Sequence, residues 1–272
     1  MNLQRVRVSD HCWLLQHDGD DVYHSYGSNQ GLIIGDRACL VVDSGFHNRT
    51  AKEILRVTRN FSPEKTYVLD THYHSDHVFG NRLLSLVGGI VIGHNNCRSS
   101  MREQSEELLA GYRGRNVRLA RLLNGVSIVL PHETYSECMT LHLGEITVDI
   151  VHPVPVAHTS GDSLAVCRED KTIFAGDIFW NRYHPNLEDA SIKGQIEALQ
   201  WILKTRSRRI VPGHGRVGHP QDVRTAIRYL SELESNIRKA RVGKKSVAKV
   251  PPWSKSWKMR WLMDEYLRGL GP

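Results

Sequence analysis

The chain has 272 residues, of which 40% are hydrophobic and 24% charged, and its formal net charge is +7. That balance is the balance of a folded protein with a sizeable core, and it excludes a disordered chain or one that lives in a bilayer, since no run reaches the ~20 apolar residues of a membrane span. The five cysteines are scattered, odd in number and without a C-x-x-C pair, which argues against a disulfide frame and for reduced thiols, hence a cytoplasmic setting; no signal-like apolar stretch opens the chain.

Short β-rich runs come first: RVRV, CWLLQ, GLIIG and ACLVVDSG, the last closing on an Asp-Ser-Gly turn. A helix is expected from Thr50 to about Asn60, with Ile54, Val57 and Phe61 on one face, ended by Pro63. KTYVLDTHYH reads as a buried strand entering a polar loop, DHVFGNRLLSLVG as a helix and GIVIG as another strand. Residues 100–124 are rich in helix formers, with Leu108, Leu109, Tyr112, Leu119, Leu122 and Leu123 as the apolar stripe of a helical pair that packs on the domain or covers a site. Strands return as VSIVL, MTLHLG, ITVDIVHPV, SLAVCR and KTIFAGD. ASIKGQIEALQWILKT then spaces Ile196, Leu199, Ile202 and Leu203 along one helix face, and RRIVPGHG is a last strand and loop. A long helix beginning at Pro220 aligns Val223, Ile227, Leu230 and Ile237. After the linker VGKKSVAKVPP comes an amphipathic tail helix carrying Trp257, Trp261, Leu262 and Tyr266, expected to dock on its own domain because four large apolar groups in water are a liability. The chain is thus expected to form a catalytic domain over 1–241 and a basic linker with a C-terminal helix over 242–272. Strands and a helix, then strands and a helix, predict an α/β fold of two sheets packed face to face with helices outside.

The charge is uneven. From Arg206 onward there are 16 Lys and Arg against 5 Asp and Glu, whereas the first 205 residues carry 20 against 24. A basic last third suits an anionic substrate, a nucleic acid or simply a solvated helix face, and the last of these is the ordinary reading.

The segment THYHSDH concentrates the chemistry. His72 and His74 stand two apart, so in extended chain both imidazoles leave on one side and converge, as ligands of a borderline metal ion do. Asp76 and His77 follow where the chain turns toward a helix, which aims them at a second, adjacent ion. His158 in AHTSGD, Asp177 in FAGD and His214 in PGHG each close a strand-like run beside glycines that permit tight turns to a common rim. The ten other histidines read as surface or core residues. Asp43 and Asp70 are candidate acceptors for ligand N–H groups, Thr159 and Ser160 candidate neighbours of His158, and Tyr23, His24, Tyr26, Trp180, Tyr183 and His184 candidate pocket residues.

THYHSDH, AHTSGD, FAGD and PGHG, in that order, together with VVDSG ending near Asp43, resemble the motifs of the metallo-β-lactamase superfamily. The resemblance implies an αββα sandwich of two mixed sheets with helices on the outer faces. It implies two divalent ions, zinc with iron or manganese as alternatives: His72, His74 and His158 on the first, Asp76, His77 and His214 on the second, Asp177 bridging. With His77 and Asp177 in place the set looks closest to the glyoxalase-II and lactonase branch. The implied activity is that of a hydrolase in which a hydroxide shared by two ions about 3.5 to 4 Å apart attacks a small carboxyl derivative (thioester, lactone, ester or lactam), with Asp76 orienting it and relaying a proton. A nuclease or phosphodiesterase and a di-iron redox enzyme are the alternatives on the same fold. The expected partner is a small molecule rather than nucleic acid, and nothing in the sequence specifies an oligomeric state.

Overall fold

In the computed structural model, which describes residues 3–17, 19–243 and 248–270, the apolar runs of the first half build one sheet in chain order. Strands β1 (Gln4–Arg7), β2 (Cys12–Gln16), β3 (Gln30–Ile34) and β4 (Ala38–Val42) form an antiparallel meander, and β5 (Lys65–Asp70), β6 (Ile90–His94) and β7 (Glu133–Tyr135) continue it in parallel. Helix α1 (Asn48–Thr58) makes the crossover from β4 to β5; α2 (Ser75–Val78) and α3 (Asn81–Ser85) lead to β6, and α4 (Asn95–Arg115) and α5 (Val117–Leu122) lead toward β7. The second sheet holds the antiparallel strands β8 (Cys138–His142), β9 (Thr147–Val151), β10 (Leu164–Cys167) and β11 (Thr172–Phe174), with β13 (Arg209–Val211) parallel to β11. The two-residue strands β12 (Trp180–Asn181) and β14 (His214–Gly215) pair in parallel beside it. Helices α6 (Ile192–Lys204), α7 (Pro220–Gly243) and α8 (Arg260–Gly269) complete the chain.

Side-chain alternation sorts these strands into layers. In β4, Leu40 and Val42 join Leu14, Ile33, Leu69 and Ile92 on the inner face and meet Leu141, Val148, Ile150, Ala165 and Phe174 of the second sheet. The alternate residues Cys39 and Val41 face outward and are sealed by Ala51, Ile54 and Val57 of α1 and Leu84 of α3. On the far side Leu164, Val166, Ile173 and Ile210 are covered by Ala198, Leu199 and Ile202 of α6 and by Val223, Leu230 and Leu233 of α7. Each such aliphatic side chain, fully buried, contributes about 1.5–3 kcal/mol. The result is the four-layer αββα sandwich. Among the described residues no helix is long and apolar enough to cross a membrane.

Several elements differ from expectation, each for a local reason. VSIVL forms no strand: the Val126 carbonyl is taken by the Arg113 guanidinium and the Val129 carbonyl by the Asn81 amide, so side chains supply what a neighbouring strand would. The single helix expected over DHVFGNRLLSLVG is two short ones broken at Gly80, where a Cβ would collide with the Ser44 carbonyl. The tail helix is also oriented differently. Its sealed face is Met263 and Leu267, which pack with Val250 and Trp257 against Tyr229, whereas Trp261 remains 52% exposed. Residues 244–247 of the expected linker lie outside the described residues.

Candidate metal centre

Asp43, Asp70, Asp177 and His214 follow or end β4, β5, β11 and β13, so the parallel strands of both sheets deliver polar residues to one edge of the sandwich, the usual place for a site in such sheets. Asp43 organises that edge. Its backbone is left-handed, with φ 64°, a conformation aspartate tolerates better than most residues. Its carboxylate accepts from the Thr71 N–H at 2.8 Å, the Thr71 hydroxyl at 2.9 Å and His77 Nδ1 at 2.8 Å, tying β4 to the loop after β5 and to α2. Two glycines clear the way: a Cβ on Gly176 would meet the Thr71 side chain, and one on Gly213 would overlap the Asp177 carboxylate.

Around this frame the structure brings together all seven residues singled out as ligands. The donor atoms of His72, His74, His158 and Asp177 lie within 4.8 Å of one another, and so do those of Asp76, His77 and His214. In the first group His74 Nδ1 is 3.0 Å from His158 Nε2, and Asp177 Oδ2 is 3.5 Å from His158 Nε2 and 3.8 Å from His72 Nε2. In the second, Asp76 Oδ2 is 3.3 Å from His214 Nε2 and 3.5 Å from His77 Nε2. Asp177 reaches both groups, with Oδ1 3.3 Å from His77 Nε2 and Oδ2 3.5 Å from His214 Nε2. Two ligands on one tetrahedral ion stand about 3.3 Å apart, so these separations are those of rings arranged around cations. His72 Nε2, His77 Nε2, His214 Nε2 and Asp177 Oδ1 are buried with no hydrogen-bond partner among the described residues. Buried nitrogens and oxygens left this way are costly unless something binds them, and the donor set fits zinc, iron or manganese.

The opposite ring nitrogens of His72, His74, His77 and His214 are fixed in turn, which selects the tautomer, whereas His158 Nδ1 has no partner among the described residues. His77 Nδ1 donates to Asp43, His214 Nδ1 donates to the Tyr26 carbonyl at 3.0 Å, and His72 Nδ1 lies 3.1 Å from the Thr71 hydroxyl. His74 Nε2 donates to Asp189 Oδ2 at 3.0 Å, and the Tyr73 hydroxyl donates to the same oxygen at 2.6 Å. Burial pushes His72 well below its ordinary pKa and His158 down to about 3, so both rings are neutral and present lone pairs. For His77 and His214 burial also acts downward, but the Asp177 and Asp76 carboxylates outweigh it and raise His214 to about 9. Those carboxylates call for positive charge between the rings, which a metal cation supplies.

A family model described as the metallo-beta-lactamase superfamily matches residues 26–214, from Tyr26 through the last of these histidines. The chain belongs to that superfamily. Among solved structures it is similar to a metallo-beta-lactamase from Pontibacter korlensis, with 18% identity, a TM-score of 0.68 and 85% of this chain and 99% of that one covered. It is also similar to the DIM-1 metallo-beta-lactamase exposed to ceftazidime (16% identity, TM-score 0.68, 85% and 98% covered) and to TMB-1 (15% identity, TM-score 0.68, 87% and 100% covered). At those identities the likeness establishes the shared fold, and membership of the superfamily makes the chain a metallo-hydrolase.

The superfamily centre opens into a cleft of about 490 Å³. Asp76, Asp177 and His214 line its floor together with Trp180, which stacks on His214 at 4.0 Å between ring centroids. Tyr26 and Trp180, two of the candidate pocket residues, do line the cleft. Tyr183 does not, although its ring centroid is 6.0 Å from that of His214, and His184 turns into the core, where its Nδ1 meets the Tyr229 hydroxyl at 2.7 Å. Tyr23 and His24 line a different cavity. One wall consists of Gln104, Leu108, Tyr112 and Arg115 of α4, and the opposite one includes Trp261, Leu262 and Glu265 of α8. Asp189 and Tyr73 are the residues sequence reading missed. Tyr73 stands inside THYHSDH but is not a ligand type, Asp189 belongs to no motif with a recognisable spacing, and Asp189 reaches His74 from the loop before α6.

Proposed function

We propose that the chain is a dinuclear metal-dependent hydrolase of a small carboxyl derivative (thioester, lactone, ester or lactam). His72, His74 and His158 would hold one ion and Asp76, His77 and His214 the other, with Asp177 between them. Divalent ions, zinc foremost, supply Lewis acidity there, polarising a carbonyl and making hydroxide available at neutral pH. The protein's own groups do the rest. Tyr26 and Trp180 line the cleft and offer aromatic surface to the substrate. Asp76, which lines the cleft and whose Oδ2 faces His77 and His214, is placed to orient the attacking water and to pass its proton on. The water oxygen adds to the carbonyl carbon, the C–S, C–O or C–N bond breaks, and the leaving atom takes the proton. No serine or cysteine nucleophile is involved.

The observation that carries this reading is the pair of donor groups sharing one carboxylate. What favours a carboxyl derivative over a nucleic acid is the lining of the cleft. Glu188, Asp189 and Glu265 face it, and among the described residues Arg115 is the one Lys or Arg that lines it and no basic residue beyond Arg206 does. A polyanion laid across that rim would meet carboxylates on the α8 side.

Metal analysis of the purified protein, followed by a panel of thioesters, lactones, esters, β-lactams and phosphodiesters, tests the proposal. About two zinc ions per chain and chelator-sensitive hydrolysis of one acyl class is the expected result. Turnover confined to phosphodiesters, or iron with oxygen consumption, overturns it.

A further inference from the structure

A second cavity, of about 530 Å³, is lined by Tyr23, His24, Arg49, Val117, Arg118, Arg121 and Leu122. It lies within the 300–1,000 Å³ range of small-molecule sites. Three arginines line it, and among the described residues no carboxylate does. None of the three arginines makes an ion pair among the described residues, and the Asp21 carboxylate is hydrogen-bonded to His24 at 2.8 Å. Arg118 is held over the Tyr23 ring, its guanidinium carbon 3.7 Å from the centroid. A planar cation fixed on an aromatic face beside two further guanidiniums is a donor array for phosphate oxygens, with the ring and Val117 offering apolar surface to a base or a chain.

This cavity and the metal cleft draw residues from the same two elements. Both lie along the seam between the 3₁₀ turn Val22–Gly27 and the junction of α4 with α5. The metal cleft takes Tyr26 from the turn and Arg115 from the junction; the second cavity takes Tyr23 and Arg118, each three residues away. The pattern repeats, since Arg115 lies over the Tyr112 ring at 4.4 Å. Two arginine-over-tyrosine pairs thus lead from the one cation lining the cleft to a cavity where arginine is the dominant residue.

We infer that the second cavity binds the phosphate groups of the substrate's leaving arm, so that the substrate of the metal cleft is an acyl thioester whose thiol carries a nucleoside phosphate. The substrate assignment rests on the hydrolase reading above; the anion site does not. The acyl carbon sits over the metal residues, the thiol arm runs past Arg115, and the phosphates reach Arg49, Arg118 and Arg121. Hydrolysis breaks the C–S bond, water provides the oxygen of the carboxylate product, and the thiolate leaves with a proton.

Binding and turnover test the two parts separately. Calorimetric titration of the holoprotein with adenosine 3′,5′-bisphosphate is expected to show saturable, salt-weakened binding that falls at least about tenfold in the double variant R118Q/R121Q. A phosphate held by the metal ions instead would bind both proteins alike, which overturns the site. In turnover, acetyl and benzoyl thioesters of coenzyme A are compared with the same acyl groups on N-acetylcysteamine. The ratio of their kcat/KM values is expected to favour the phosphorylated series by about tenfold or more, and that preference to collapse in the variant. Equal ratios in both proteins overturn the substrate class while leaving acyl hydrolysis standing. Loss of bisphosphate binding in the variant with no thioester cleaved by either protein upholds the anion site and overturns the thioester substrate, while hydrolysis of a lactone, ester or lactam still stands. Cleavage of oligonucleotides slowed by the same variant overturns the inference in favour of a nuclease.

Discussion

The two halves of the candidate metal site are held in opposite ways. His77, in the Asp76–His77–His214 half, leans on Asp43, a residue 2% exposed whose carboxylate also anchors Thr71 and whose left-handed backbone ends β4. His74, in the His72–His74–His158 half, leans on Asp189, whose side chain is 43% exposed and which comes from the loop before α6. The same interaction, an imidazole N–H given to a carboxylate, is therefore part of the fold in one half and part of the cleft wall in the other. Burial makes the first expensive to disturb and exposure leaves the second adjustable. One half of the centre is built into the sandwich; the other is finished by a loop that also lines the cleft.

Removing the shared element should erase that contrast altogether. Asp177→Ala is expected to abolish dinuclear binding and to lower acyl turnover by at least about 10³-fold, measured as metal per chain and kcat/KM. Retention of two ions per chain in this variant would refute the bridging role.

Asp43→Ala probes the buried half. It strands the Thr71 N–H, the Thr71 hydroxyl and His77 Nδ1, and it puts alanine at a positive φ. A loss of about 3–5 kcal/mol is expected, which for a chain of this size lowers Tm by roughly 10 °C. Asp43→Asn keeps a residue suited to the left-handed backbone and so isolates the charge; a smaller fall in Tm is the expected outcome. Asp189→Asn probes the exposed half. It should leave Tm nearly unchanged and weaken one of the two ions about 10–100-fold in a competitive chelator titration. Matching effects on Tm from Asp43 and Asp189 would end the distinction between the halves.

What could be read in the sequence follows the same division. The sandwich was legible because strand alternation in runs such as ACLVV and helix spacing in α6 and α7 leave little choice of layer. Of the seven clustered residues, His72, His74, Asp76 and His77 were legible from their close spacing in THYHSDH, and His158, Asp177 and His214 from the glycine-marked turns beside them. Asp43 was legible as a support because it sits in such a turn. Asp189 and the face of α8 were not, because neither depends on local pattern. The tail helix carries apolar residues on two sides, and Tyr229 and Trp257 decide which side is sealed, so Met263 rather than Trp261 is buried. VSIVL has the composition of a strand, but its carbonyls are satisfied by Arg113 and Asn81. Where a long-range side chain takes over a backbone group, periodicity alone cannot find it.

The smallest expected effect is the sharpest test of the contrast. Tyr73 is flanked by two residues of the cluster, His72 and His74; its ring lies 4.6 Å from that of His74, and its hydroxyl donates to Asp189 Oδ2, the same oxygen that accepts from His74. Tyr73 therefore acts on the metal centre at one remove, by fixing the carboxylate that fixes the ring. Both groups pull the Asp189 pKa down to about 2, with His74 the larger influence, so the carboxylate stays ionised at any pH where the imidazoles are neutral. Tyr73→Phe removes one hydrogen bond of about 0.5–1.5 kcal/mol and keeps the ring. In a half held by an exposed loop, that should appear as a roughly 2- to 10-fold weakening of one ion, with Tm unmoved. If the loop is instead as rigid as the Asp43 frame, the carboxylate stays in place without the tyrosine and neither metal affinity changes.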